Sequence, residues 1–124
     1  MRSMRPPVDL GPARVRGHRD LTATGRARVM WDEGVLYVAR SSRDVVRVDC
    51  PEQPPEPTRV GQDWSAQTAV GTITFRRKGC SCSYSLGNVA FGTLVGLAVD
   101  VGGVESTPTP GDTAPRELTE ADTP

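Results

Sequence analysis

The stretch that decides the fold runs from Arg26 to Cys50, RARVMWDEGVLYVARSSRDVVRVDC. In it Ala27, Val29 and Trp31 alternate with Arg28 and Met30, Asp32-Glu33-Gly34 interrupts, and Val35 to Ala39 follows. Two runs of strand formers joined by a short loop with a glycine free to take positive φ predict a β-hairpin. After Ser41 to Asp44, the segment Val45 to Cys50 sets Val46, Val48 and Cys50 on one face and Val45, Arg47 and Asp49 on the other. That alternation predicts a third strand, half buried.

Downstream, residues 51–59 carry four prolines, at 51, 54, 55 and 57. Such a run favours extended polyproline II and predicts a stiff crossover between two β-layers. Its P-x-x-P spacing also suits an aromatic groove on a partner, so Pro54 and Pro57 are candidate interaction residues. Trp64 joins them, although an aromatic that large more often anchors a small core.

Gly71 to Phe75 then reads as a strand, Arg76-Arg77-Lys78-Gly79 as a basic turn, and Cys80 to Leu86 as the return strand. In the return strand Cys80, Cys82, Tyr84 and Leu86 share one face and Ser81, Ser83 and Ser85 the other, the pattern of an antiparallel strand buried on one side. Val89 to Val104 is apolar apart from Thr93 and Asp100 and contains four glycines. A membrane span needs about 20 predominantly apolar residues, so this shorter run predicts a buried strand pair or a core helix, and its valines and glycines favour strands.

Outside this core the two ends differ in charge. The chain has 124 residues, 15 basic and 15 acidic, and a formal net charge of zero. Yet Met1 to Arg28 holds seven Arg against Asp9 and Asp20, whereas Glu105 to Pro124 holds Glu105, Asp112, Glu117, Glu120 and Asp122 against Arg116 alone. The first segment, rich in Pro and Gly, shows no hydrophobic period and reads over residues 1–25 as a mobile basic arm. Residues 105–124, with their prolines and acids, read as a disordered acidic tail.

These segments bound the fold to one mainly β domain over residues 26–104, a small antiparallel sandwich or barrel of six or seven short strands. A unit of that size is marginally stable, so a homo-oligomeric partner or a crosslink would help it. All but one of the basic residues are Arg, the exception being Lys78. GC-rich codons explain that bias more simply than function does, which points to a high-GC bacterium or a phage of one.

The chemistry the sequence offers is narrow. Three cysteines, an odd count, and no apolar leader segment suggest a reducing, cytoplasmic setting, or a virion if phage-encoded. Cys50, Cys80 and Cys82 with His18, the one histidine, have the ligand types of a zinc site, but C-x-C is not the usual knuckle spacing. Buried structural thiols are the simpler reading. No phosphate loop, H-E-x-x-H or G-x-S-x-G is present, so an enzyme is not expected. Two binding functions then compete. The leading one is a non-enzymatic binding or assembly module acting through protein contacts. The alternative is a nucleic-acid binder that uses Arg76, Arg77 and Lys78 at a hairpin tip together with the arginine arm.

Overall fold

The computed structural model describes residues 6–79 and 85–101. Eight strands and one short α-helix form in chain order. They are β1 (Val8–Asp9), β2 (Ala13–Arg16), β3 (Ala23–Asp32), β4 (Val35–Ser41), β5 (Asp44–Asp49), β6 (Asp63–Thr68), β7 (Gly71–Arg77), a 3₁₀ turn (Ser85–Asn88), α1 (Phe91–Leu97) and β8 (Val99–Asp100). The strands make one sheet in the order β6-β7-β2-β3-β4-β5-β8, with β1 also on β3. All ladders are antiparallel except β5 with β8.

The first hairpin forms where the sequence places it. Glu33 (φ 47°) and Gly34 (φ 87°) are both in the left-handed region, the backbone of a two-residue turn whose twist matches the flanking strands. Asp32 therefore pairs with Val35, and the register carries Val29 opposite Val38 and Trp31 opposite Leu36. The third strand follows as β5, with Val46, Val48 and Cys50 in the main core.

β3 belongs to both halves of the sheet. Its first half pairs with β2, and its second half pairs with β4 on one side and β1 on the other. Residues from β6 and β7 at one end and β5 at the other, including Trp64, Phe75 and Val48, nonetheless share one buried cluster. The sheet must therefore bend over its own inner face. It does not close into a barrel: between β5 and the β6–β7 turn only a single backbone hydrogen bond is made, from Ala69 N–H to the Asp49 carbonyl at 2.9 Å.

Three expectations need correction. The stretch read as a mobile arm supplies β1 and β2 and buries Leu10, Ala13, Val15 and Leu21 completely, so the folded unit begins well before Arg26. Its few apolar residues suffice because they join one buried cluster with residues of β3, β4, β5, β6 and β7. In the described part of the Val89 to Val104 run, residues 89–101, α1 takes the place of the favoured strand pair; Phe91, Leu94, Val95 and Ala98 cover Met30, Tyr37, Ala39 and Val45 on the outer side of the sheet. Gly92 and Gly96 face solvent, and tertiary packing overrides their poor helix propensity. Leu86, placed in a return strand, lies in the 3₁₀ turn, while residues 80–84 of that strand lie outside the described residues.

Arg28 holds this outer layer to the sheet. It is only 9% exposed, and its Nη1 donates to the carbonyls of Leu86 (2.9 Å) and Val89. Phe91 meets Tyr37 edge-on, with ring centroids 5.2 Å apart. No helix among the described residues is long and apolar enough to cross a membrane.

Candidate binding surface

Strand alternation sorts β2, β3, β6 and β7 into an apolar inner face and a charged outer one. Ala13 and Val15 of β2, Ile73 and Phe75 of β7, and Trp64 and Ala66 of β6 point inward and are buried. The intervening residues Arg14, Arg16, Thr74, Arg76, Asp63 and Ser65 must then point outward. The register sets Arg14 opposite Arg76, Arg16 opposite Thr74, and Asp63 opposite Arg76. Arg26 adds a further exposed guanidinium from the first half of β3.

Like charges directly opposite on neighbouring strands repel, and one acid relieves the Arg14–Arg76 pair. Asp63 accepts two hydrogen bonds from Arg76, from Nε at 2.8 Å and from Nη2 at 3.2 Å. These bonds hold the Asp63 carboxyl below the usual carboxylate range, with a weaker contribution from the charge of Arg16. Arg14 makes only a long contact, from Nε to the Thr24 carbonyl at 3.4 Å. Among the described residues, Arg14, Arg16 and Arg26 have no ion-pair partner. Over β6, β7, β2 and the first half of β3, the outer face thus presents four arginines against one acid, with Arg14, Arg16 and Arg26 open to solvent.

The basic tip expected at residues 76–79 takes a different form. Arg76 and Arg77 belong to β7, because the strand continues past Phe75 to pair with β2 and β6. Arg76 is committed to Asp63. Arg77 is half-buried and its backbone bonds with Gly61 and Gln62, while the Lys78 N–H donates to the Pro12 carbonyl. Arg77 and Lys78 therefore close the end of the sheet and do not project from a free turn.

The interaction residues are also relocated. Pro54 and Trp64 are buried and Pro57 is half-buried, so none offers an open docking ridge. Trp64 stacks on Phe75 at 4.9 Å between centroids. The crossover lies beside β6, with a cleft of about 150 Å³ between Gln53-Pro54-Pro55 and Ser65-Ala66-Gln67.

Of the four candidate metal ligands, the two among the described residues, Cys50 and His18, do not come together. Cys50 is fully buried beside the first hairpin, its N–H bonded to the Gly34 carbonyl. Burial, with Glu52 nearby, pushes its thiol pKa up, away from the thiolate that metal binding needs. His18 lies at the other end of β3, its carbonyl bonded to the N–H groups of Leu21 and Thr22. Ten strand residues separate these places, on the order of 20–30 Å, so Cys50 and His18 cannot share an ion. Cys80 and Cys82 lie outside the described residues. Among the described residues no cluster of three or more His, Cys, Asp or Glu side chains is suited to a metal.

Arg14 and Arg16 are surface residues that the sequence alone assigns to an unstructured arm, whereas Arg26 stands at the start of the expected β domain. The A-R-V-R alternation at residues 13–16 was the available signal, short but with the correct period. No known protein family, curated protein or solved structure matches this chain.

Proposed function

We propose that this chain is a non-enzymatic binding module whose working surface is the outer face of β2, β3 and β7, and that the surface neutralises nucleic-acid phosphates. The observation that supports this reading is the set of three guanidinium groups, Arg14, Arg16 and Arg26, held on one sheet face without an acid partner among the described residues. Arg14 and Arg16 are two residues apart on one strand, about 6.5–7 Å, and Arg76 stands one strand spacing, about 4.8 Å, from Arg14. Guanidinium groups are weakly hydrated and fork onto phosphate oxygens, so a rigid row of them suits a backbone ligand. Among the described residues no aromatic lies on this face, which favours phosphate contact over base stacking and hence weak sequence preference.

Fluorescence anisotropy with a labelled DNA strand tests the reading. Neutralising three phosphates gives a slope of log K against log salt of roughly −2 for single strands, and Arg14→Ala/Arg16→Ala flattens it to roughly −0.7. Absence of binding at low salt, or a slope untouched by those substitutions, removes the proposal.

One observation favours protein contacts instead. Among the described residues no strand pairs with residues 23–27 of β3 on the side where β4 pairs with residues 28–32, an edge of the kind that accepts another strand. Pull-down from the native host, compared between wild type and Arg26→Glu, tests that reading: partners retained equally by both would remove this edge from it.

A further inference from the structure

Given the nucleic-acid reading, on which this step rests, we infer that Asp63 is a built-in rival of the ligand's phosphates: its carboxylate occupies the fork of Arg76 and limits the arginine face to three phosphate contacts. Within β6, β7, β2 and residues 23–27 of β3, Asp63 is the one acid. The register places it at the end of a cross-strand line, with Asp63 opposite Arg76 and Arg76 opposite Arg14. β6 ends the sheet on this side, so among the described residues no further strand flanks Asp63.

The pair has the geometry of an anion on a guanidinium fork. Arg76 donates from Nε to one carboxylate oxygen at 2.8 Å and from Nη2 to the other at 3.2 Å. Those two N–H groups form an edge that also grips two phosphate oxygens, so a phosphate and Asp63 compete for it. The carboxylate acts beyond Arg76 as well. The charge of Arg16 helps to hold Asp63 below the usual carboxylate range, and because that attraction is mutual, Asp63 offsets part of the Arg16 charge.

For the fold itself the pair does little. Its side chains are nearly half exposed, 48% for Arg76 and 44% for Asp63, and exposed ion pairs contribute little to stability. Its larger effect falls on the ligand. A phosphate that displaced the carboxylate from Arg76 would stand about one strand spacing, about 4.8 Å, from the freed negative charge, and like charges so close repel. Arg14, Arg16 and Arg26 have no such competitor among the described residues. They carry the contacts, and Arg76 is withheld.

Fluorescence anisotropy with a labelled DNA strand over a salt series, on the full chain, compares the wild type with Asp63→Asn, Arg76→Ala and the double variant. Four contacts in place of three steepen the slope of log K against log salt from roughly −2 to roughly −2.8 in Asp63→Asn, and raise affinity by about eightfold or more at about 50 mM salt. Arg76→Ala is expected to leave the wild-type slope unchanged and to return the Asp63→Asn slope to roughly −2. A slope in Asp63→Asn equal to that of the wild type overturns the inference. So does a flatter slope on Arg76→Ala in the wild type, because Arg76 then holds a phosphate with Asp63 in place. Circular dichroism checks that each variant is folded, and Asp63→Ser replaces the amide if it is not. Absence of binding by both the wild type and Asp63→Asn at low salt removes the nucleic-acid reading and the role of Asp63 with it, whereas binding by both with equal slopes removes the role of Asp63 alone.

Discussion

Replacing Gly17 with alanine tests the joint on which the arginine face depends. Gly17 follows β2 directly and takes φ of +128°, a conformation that L side chains rarely adopt. A Cβ there would lie 2.7 Å from the Thr72 carbonyl oxygen and 3.0 Å from the Ile73 Cα, both backbone atoms of β7, and 3.1 Å from Ile73 Cδ1. Backbone strain costs about 1–3 kcal/mol and forced overpacking about as much again. Neither contact can be relieved by rotating a side chain, because Ile73 is itself fully buried. We therefore expect a loss of about 3–5 kcal/mol. A folded unit of roughly 90 residues has about 5–13 kcal/mol in total, so the variant should sit near the edge of folding. Gly25→Ala is the control, since a Cβ there meets nothing within 4 Å. It should gain about 0.4–1 kcal/mol by restricting the unfolded chain. Urea denaturation followed by circular dichroism measures both. If Gly17→Ala loses under about 1 kcal/mol, β2 does not run against β7 as described, and the register that sets Arg14 opposite Arg76 loses its basis.

Three further outcomes follow from individual side chains. Trp64 Nε1 is buried without an acceptor, so Trp64→Phe removes an unmet donor along with some ring area and should change stability by about 1 kcal/mol or less, against about 3–5 for Trp64→Ala. Equal losses in the two variants would show that the indole nitrogen has a partner. Cys50, buried and with its thiol pKa raised, should resist iodoacetamide in the native state and react once urea unfolds the domain, as read by peptide mass spectrometry. Asp63 and Asp100 both have folded pKa values depressed below 3.8, chiefly by hydrogen bonds from Arg76 and Arg47. Their contribution is therefore present above about pH 4 and lost as pH falls through the depressed values. The Tm difference between wild type and Asp63→Asn/Asp100→Asn should shrink towards zero in that acid range, and a difference that stays constant down to pH 2 would contradict the pairing.

How far the sequence could be read depended on how local the deciding forces were. The Glu33-Gly34 turn and the alternation of β5 needed only neighbours in the chain, and both appear in the structure with the expected faces. β6 went unread because Asp63 to Thr68 offers only Trp64 and Ala66 as inward residues; its ladder with β7 and the stacking of Trp64 on Phe75 make it a strand. α1 was obscured for the opposite reason. Its glycines argue against a helix locally, and the case for it comes from an apolar patch on β3, β4 and β5 that has to be covered.

The N-terminal strands have the most consequence for the proposed surface. Residues 1–25, with five arginines and little apolar content, read as disordered when burial is counted per residue, yet β1, β2 and the residues between them need only Leu10, Ala13 and Val15 inside. The sheet supplies the remaining core from β3, β5, β6 and β7, so β2 can spend every second position on charge. That same economy converts a loose arm into a fixed array: Arg14 and Arg16 have positions set by the β2–β7 register, and their charges add to those of Arg26 and Arg76 on one surface. A disordered arm of equal charge would lose chain entropy on meeting a phosphate backbone, whereas the strand has already lost it on folding. The zero net charge of the whole chain thus conceals an asymmetry between a pre-ordered cationic face and a C-terminal sequence rich in acids.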